Sequence, residues 1–306
     1  MGFGKGYGKV ILFGEHFVVH GIPSIVSAID KYTTATVERK AGNGWKLDDR
    51  RPATPGYKEE KLEQQRDSIE RVLRAAGVDT SKSGINITLG GDLVAASGIG
   101  ASAASCVAIA RALSDEFGLD YSDDRINEIA FEGEKAYHGN PSGVDNTAAT
   151  YGGLLWFMKG KPIERISLSR PVEVVMGNTG LVANTEAAVA GVKERKERYP
   201  DRYGRIFREA GELVQKARKA LLSYDLREVG RLMNENHRLL QEIEVSCAEL
   251  DKLVDIAIKN GALGAKLTGG GLGGNIVALT PGRELQEKVA KAIEKDGYEV
   301  LRTRIG

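Results

Sequence analysis

The sequence predicts an α+β protein of two domains, on three observations. Helical periods of ten or more residues are interleaved with short β-branched runs, many of them in antiparallel-looking pairs. The length, 306 residues, is more than one domain usually takes. Composition also shifts at 160–172, where KGKPIERISLSRP supplies turns and prolines. The boundary is placed there, giving domains 1–170 and 171–306.

Residues 5–13 (KGYGKVILF) read as a strand after a glycine-rich start, and 24–39 as two strands around a bend at Asp30 and Lys31. Residues 41–66 are polar and read as a surface loop or insertion. SIERVLRAAG (68–77) has a helical period and stops at glycine, and INITL (85–89) alternates as a strand. Helices follow at 103–118 and 123–139, the second with acidic residues in its first turn, as the helix dipole prefers. GGLLWFM (152–158) is a strand. The second half holds helices at 185–198, 200–222, 225–243 and 247–260. Strands at 264–269 and 275–280, a helix at 283–296 and a strand at 298–304 complete it. That tail has the order of a split βαβ unit, as in ferredoxin-like domains.

Composition excludes several classes. A net charge of +1 gives no basic field for nucleic acid. The longest apolar run, around Val10 to Phe13, is strand-sized and far too short for a membrane span. MGFGKGYGK lacks the apolar core of a signal peptide, so a cytoplasmic location is expected. Cys106 and Cys247 lie far apart in helix-like segments and read as small core residues in a reducing compartment.

Four segments bear chemistry. In GYGKVILFGEH (6–16), Lys9 opens an apolar strand, and Glu15 and His16 follow its end. Taken alone, Lys9 fits a strand-edge lysine snorkelling to solvent, and His16 a structural histidine. In ASGIGASAAS (96–105), small residues lead into a helix whose free N–H groups and dipole favour an anion. Neither the GxxxxGK[ST] loop nor the full dinucleotide fingerprint is present. KLTGGGLGG (266–274) packs five glycines into six positions, more than a simple hairpin needs. HGNPSGVDN (138–146) fixes Asp145 in a constrained polar loop, as a helix N-cap or as a base or metal ligand. Together the segments set out a phosphoryl-transfer site: an anion cradle, a lysine, a hydroxyl for Mg²⁺ and carboxylates. Ser102 and Glu134 are the available metal ligands, and Asp145 the natural base.

YGKVILFGEHFVVHG, ASGIGASAA, GEKAYHGNPSGVDN and KLTGGGLGG, in that order, resemble the kinases named for galactose, homoserine, mevalonate and phosphomevalonate. Within this GHMP superfamily they look most like the mevalonate kinases, since galactokinases follow GEH with TDY. Two positions depart from the family pattern. Tyr7-Gly8 stands where a proline usually precedes GK, and Ala101 replaces the first of two serines, leaving the metal-touching one as Ser102. The resemblance implies a GHMP-kinase fold, with an N-terminal domain like ribosomal protein S5 domain 2, a ferredoxin-like C-terminal domain and the active site between them. It implies ATP phosphates over Ala95, Ala96, Ser97, Gly98, Ile99, Gly100, Ala101, Ser102 and Ala103, with Mg²⁺ on Ser102 and Glu134. Asp145 would take the C5 hydroxyl proton of mevalonate and Lys9 would stabilise the alkoxide. Glu15 and His16 would line the mevalonate pocket, with Thr268 near the transferring phosphate. Mevalonate and ATP are the implied partners, with no nucleic acid and no membrane, and a homodimer stays open. A phosphomevalonate or homoserine kinase is the nearest alternative. A non-catalytic nucleotide sensor is expected to have lost Lys9 or Asp145, and both are here.

Overall fold

The computed structural model describes residues 1–53, 56–95, 98–181 and 185–306. By contacts they form two units, Met1–Lys9 with Asp30–Gly152, and Val10–Ile29 with Gly153–Gly306. Two strands are each divided between the units, β1 (Gly2–Phe13) and β2 (Ser24–Lys40).

In the first unit, Thr33–Lys40 of β2 pairs antiparallel with β4 (Gly84–Gly91). The short β3 (Trp45–Asp49) lies parallel to β4. The helices are α1 (Tyr57–Glu60), α2 (Leu62–Ala75), α3 (Ala101–Phe117), α4 (Asp123–His138) and α5 (Val144–Tyr151). Alanine makes α3 a strong helix former. It is buried nearly all round, and Gly118 in the left-handed region closes it. Apolar side chains such as Val107, Ile109 and Leu113 are no more than 2% exposed, each worth roughly 1.5–3 kcal/mol of burial.

The glycine-rich start of β1 has a packing cause. Alternate strand residues share a face, as do helix residues four apart. A Cβ added at Gly2, Gly4 or Gly6 would lie 2.3, 2.0 or 2.1 Å from the carbonyl oxygen of Ala112, Ala108 or Ala104. The strand therefore rests directly on the α3 backbone, one glycine per helical turn, and leads to Lys9 beside the start of that helix.

In the second unit, Ser24–Ser27 of β2 pairs with β5 (Leu154–Phe157), and β5 with β6 (Glu164–Ile166), both antiparallel. A second sheet contains β7 (Val172–Asn178), β8 (Gly264–Thr268), β9 (Asn275–Leu279) and β10 (Glu299–Ile305) in the order β10-β7-β9-β8, antiparallel throughout. Between β7 and β8 come α6 (Thr185–Arg198), α7 (Pro200–Leu222), α8 (Leu226–Glu242) and α9 (Ala248–Lys259), with α10 (Arg283–Lys295) before β10. This is the βαββαβ chain order of a ferredoxin-like domain, with an enlarged first helical layer.

Four expectations are corrected. The 24–39 segment is one strand without a break. What changes near Asp30 is the partner, from β5 to β4, while Lys31 and the Tyr32 amide are held by Asp92. Residues 41–66 are not simply a loop: they hold β3, α1 and the start of α2. WKLDD lacks strand hydrophobicity because only alternate positions of this edge strand are partly buried. The 160–172 stretch contains β6 and leads into β7, the inner strand beside β10. Contacts group 10–29 and 153–170 with the C-terminal residues because β5 and β6 pair onto the start of β2. Cys106 is a buried core residue, but Cys247 is half-buried just before α9.

Candidate active site

In the first unit, Lys9, Ser102, Glu134 and Asp145 converge. The Lys9 amide donates to the Ile99 carbonyl at 2.9 Å, fixing β1 against the glycine loop. Gly98 and Gly100 both have positive φ, and Gly100 is the N-cap of α3. A Cβ on Gly100 would meet Lys9 Cγ at 2.8 Å, so the lysine stem lies across this glycine. Lys9 is 5% exposed, and its Nζ pairs with Asp145 Oδ1 at 3.1 Å. It is not a lysine snorkelling to solvent.

Asp145 is not the N-cap of the helix after its loop. Gly143, with φ of 89°, holds that place without a side-chain cap, and Asp145 lies in the first turn of α5. Its carboxylate is directed at Lys9 instead of the local backbone.

Glu134 is 1% exposed near the end of α4. Burial, and secondarily the charge of Asp145, push its carboxyl up to about 8, and a hydrogen bond with Ser102 partly offsets this. One oxygen, Oε1, has no hydrogen-bond partner among the described residues. The other is 3.7 Å from His138 Nε2. A buried carboxylate with an unfilled oxygen, joined to a hydroxyl in the first turn of a helix, suits a hard cation that keeps phosphate and water oxygens as further ligands. No acidic side chain stands in the first turn of α3, so its amides can face an anion.

Of the remaining cradle positions, Ala95, Ile99, Ala101 and Ala103 are buried, and Ala95 N–H donates to Pro52 carbonyl at 2.9 Å. Ala96 and Ser97 lie outside the described residues. Behind the helix start, buried Arg51 pairs with Asp49 and donates to Ser105. Arg51 was unforeseen, because its surroundings read as a polar loop.

Glu15, His16 and Thr268 come together in the second unit. Thr268 Oγ1 accepts from the Ile11 amide at 3.1 Å and donates to the Ile11 carbonyl at 2.9 Å. His16, at φ 59°, has Nε2 2.9 Å from the Gly270 carbonyl, and burial lowers its pKa to about 4. Glu15 is buried against Lys266, which also donates to the Leu267 carbonyl at 2.5 Å. Sequence reasoning missed Lys266, although it lies two residues before Thr268 and hence on the same face of β8. The glycine run is shaped by close neighbours: a Cβ on Gly270 or Gly271 would meet Thr185 Oγ1 at 2.1 Å or the Val245 carbonyl oxygen at 2.2 Å.

Comparison with known proteins shows the family. The family model for the N-terminal domain of GHMP kinases matches residues 65–153, and that for the C-terminal domain matches 217–299. A mevalonate kinase of Pyrococcus horikoshii is 35% identical over 318 residues, covering 97% of this chain and 93% of its own. The chain belongs to the mevalonate kinase family. Another family member, from Arabidopsis thaliana, is 30% identical, with 98% and 96% of the two chains covered. The crystal structure of L. major mevalonate kinase in complex with R-mevalonate matches with a TM-score of 0.94 and 40% identity, over 100% of this chain and 96% of that one. Among the described residues, no helix is long and apolar enough to cross a membrane.

Proposed function

We propose that this chain is a mevalonate kinase, transferring the γ-phosphoryl group of ATP to the C5 hydroxyl of mevalonate. The observation that carries the reading is the Lys9–Asp145 pair, 3.1 Å apart beside the start of α3, in a chain of this family. Asp145 takes the hydroxyl proton as the C5 oxygen forms its bond to phosphorus and ADP leaves. Lys9 keeps Asp145 aimed through their ion pair, and its ammonium favours the charge developing on the attacking oxygen. Gly98, Gly100 and the first-turn amides of α3 cradle the phosphates, with Ala95–Ala103 as the segment that approaches ATP. Ser102 and Glu134 would hold Mg²⁺, which would supply neutralisation of the phosphate charge. Glu15, His16 and Thr268 belong to the acceptor side.

The test is side-by-side turnover of mevalonate, phosphomevalonate, homoserine and galactose with ATP, with and without Mg²⁺. GEHFVVHG, HGNPSGVDN and KLTGGGLGG contain no arginine for a second, dianionic group. The expected kcat/KM for mevalonate exceeds that for phosphomevalonate by at least about 100-fold, or about 2.7 kcal/mol. Turnover should stop when Mg²⁺ is chelated. Comparable values for the two acceptors would overturn the substrate assignment.

A further inference from the structure

The acceptor in the proposed reaction is a carboxylate, and its recognition calls for a cation. The turn GEHFVVHG has basic neighbours within its own unit. The charges of Arg195 and Lys266 act on the His16 imidazole and reinforce the effect of burial. Lys266 is already paired with Glu15. Arg195 donates to the Tyr203 hydroxyl at 3.0 Å and the Ile243 carbonyl at 2.8 Å, with Glu244 at 3.5 Å.

Lys196, the next residue of α6, has a different environment. Its Nζ lies 3.4 Å from His20 Nδ1 and 4.7 Å from the centroid of the Phe207 ring. Phe207 in turn packs edge-on against His20 and Phe17, so the ammonium's position is set by a rigid aromatic group. The side chain is half-buried, and among the described residues no carboxylate pairs with it. His20 is held neutral by burial and by Lys196. Accepting from the ammonium at Nδ1 places the imidazole proton on Nε2, a buried nitrogen with no hydrogen-bond partner among the described residues. A half-buried ammonium whose neighbours are an imidazole and an aromatic face still has its charge to satisfy.

We infer that Lys196, held against His20 and Phe207, binds the carboxylate of the acceptor substrate. The inference rests on the proposed kinase reading and names the residue that recognises the acid end of the molecule. An ATP phosphate is the competing anion, and separate kinetic constants for the two substrates distinguish them.

The experiment compares wild type, Lys196→Met and Lys196→Arg, each with mevalonate and with its neutral primary amide, after melting curves have established folding. Wild type should prefer acid over amide in kcat/KM by roughly 10- to 100-fold, the range of one charged hydrogen bond. Lys196→Met should raise KM for mevalonate by about that factor, leave KM for ATP unchanged and erase the preference. Lys196→Arg should retain most of it. An unchanged acid-to-amide ratio in Lys196→Met, a shift in the ATP constant instead, or a wild type indifferent to the amide would each overturn the inference. If Lys196→Met does not fold, the wild-type preference and its fate in Lys196→Arg decide. Failure of the kinase reading looks different, because wild type then fails to phosphorylate mevalonate at all.

Discussion

Gly6→Ala is a substitution of one methyl group that tests how the site is positioned. The added Cβ would lie 2.1 Å from the Ala104 carbonyl oxygen and 2.9 Å from Ala104 Cα. A comfortable carbon–oxygen contact is more than 3 Å, so about 1 Å of separation must be found. Both partners are backbone, one in a paired strand and the other in a buried helix, and no rotamer change relieves the overlap. Overpacking of this kind costs about 1–3 kcal/mol, and the backbone contact puts Gly6→Ala at the upper end. At about 2–4 °C per kcal/mol, the melting temperature should fall by about 6–12 °C. Function should suffer too, because Ser102 lies in the first turn of the helix being displaced, and Lys9 is three residues along the strand. KM for ATP should rise in the variant even where it is fully folded. Gly21→Ala is the control: its φ is 85° but a Cβ there meets nothing within 4 Å. It carries only the left-handed strain of about 1–2 kcal/mol. Scanning calorimetry and ATP titration on both variants make the comparison. A Gly6→Ala protein that melts with wild type, or no lower than Gly21→Ala, refutes the direct strand-on-helix account.

Two further outcomes are expected. Asp145→Asn keeps the shape of the side chain but removes its basicity, so kcat should fall by about 10²–10⁴ with little change in substrate binding, and near-normal turnover would remove the base assignment. His16 titrates near 4 in the folded chain against 6.5 when exposed, so between these values the unfolded state binds a proton that the folded state does not. Its contribution to stability is complete above pH 6.5 and is lost as the pH falls toward 4, by about 3 kcal/mol in all. Urea midpoints of wild type and His16→Gln across pH 4–7 test this, and parallel curves would contradict the sign.

Much of this was legible because the informative signals are local. Helices α6 to α10 announce themselves by apolar periodicity, and glycine or turn residues close them, so most of their bounds agree with the sequence reading to within a residue or two. The segments that bring Lys9, Ser102, Glu134 and Asp145 together stood out through side-chain chemistry. The residues that were missed depend on distant partners. Arg51 is buried only because Asp49 and Ser105 meet it, and WKLDD is a strand only because β4 lies alongside. Nothing in VKERKER sets Lys196 apart from its exposed neighbours, since only His20, many residues earlier, makes it distinctive. Asp145 shows the limit even inside a strong motif. The loop composition allowed an N-cap, and the position of Gly143 decided against it.

Two buried carboxylates in this chain are handled in opposite ways. Glu15 is closed against Lys266 within its own unit, a pair with both side chains at 0% exposure. Removing either partner would leave a buried charge, which is why such pairs persist even when they add little net stability. Glu134 has no lysine or arginine within salt-bridge distance among the described residues; its hydroxyl partner and the more distant Lys9 offset burial only in part. Leaving a carboxylate in that condition costs several kcal/mol, and a leucine or glutamine there would relieve it. Among the described residues, Oε1 has no hydrogen-bond partner. A divalent cation arriving with the nucleotide would return Glu134 to its ionised form. It would also tie that ionisation to the presence of the phosphates, so the buried charge would be stable only with the phosphoryl donor in place. Glu15, by contrast, already has a cation, Lys266, within its own unit.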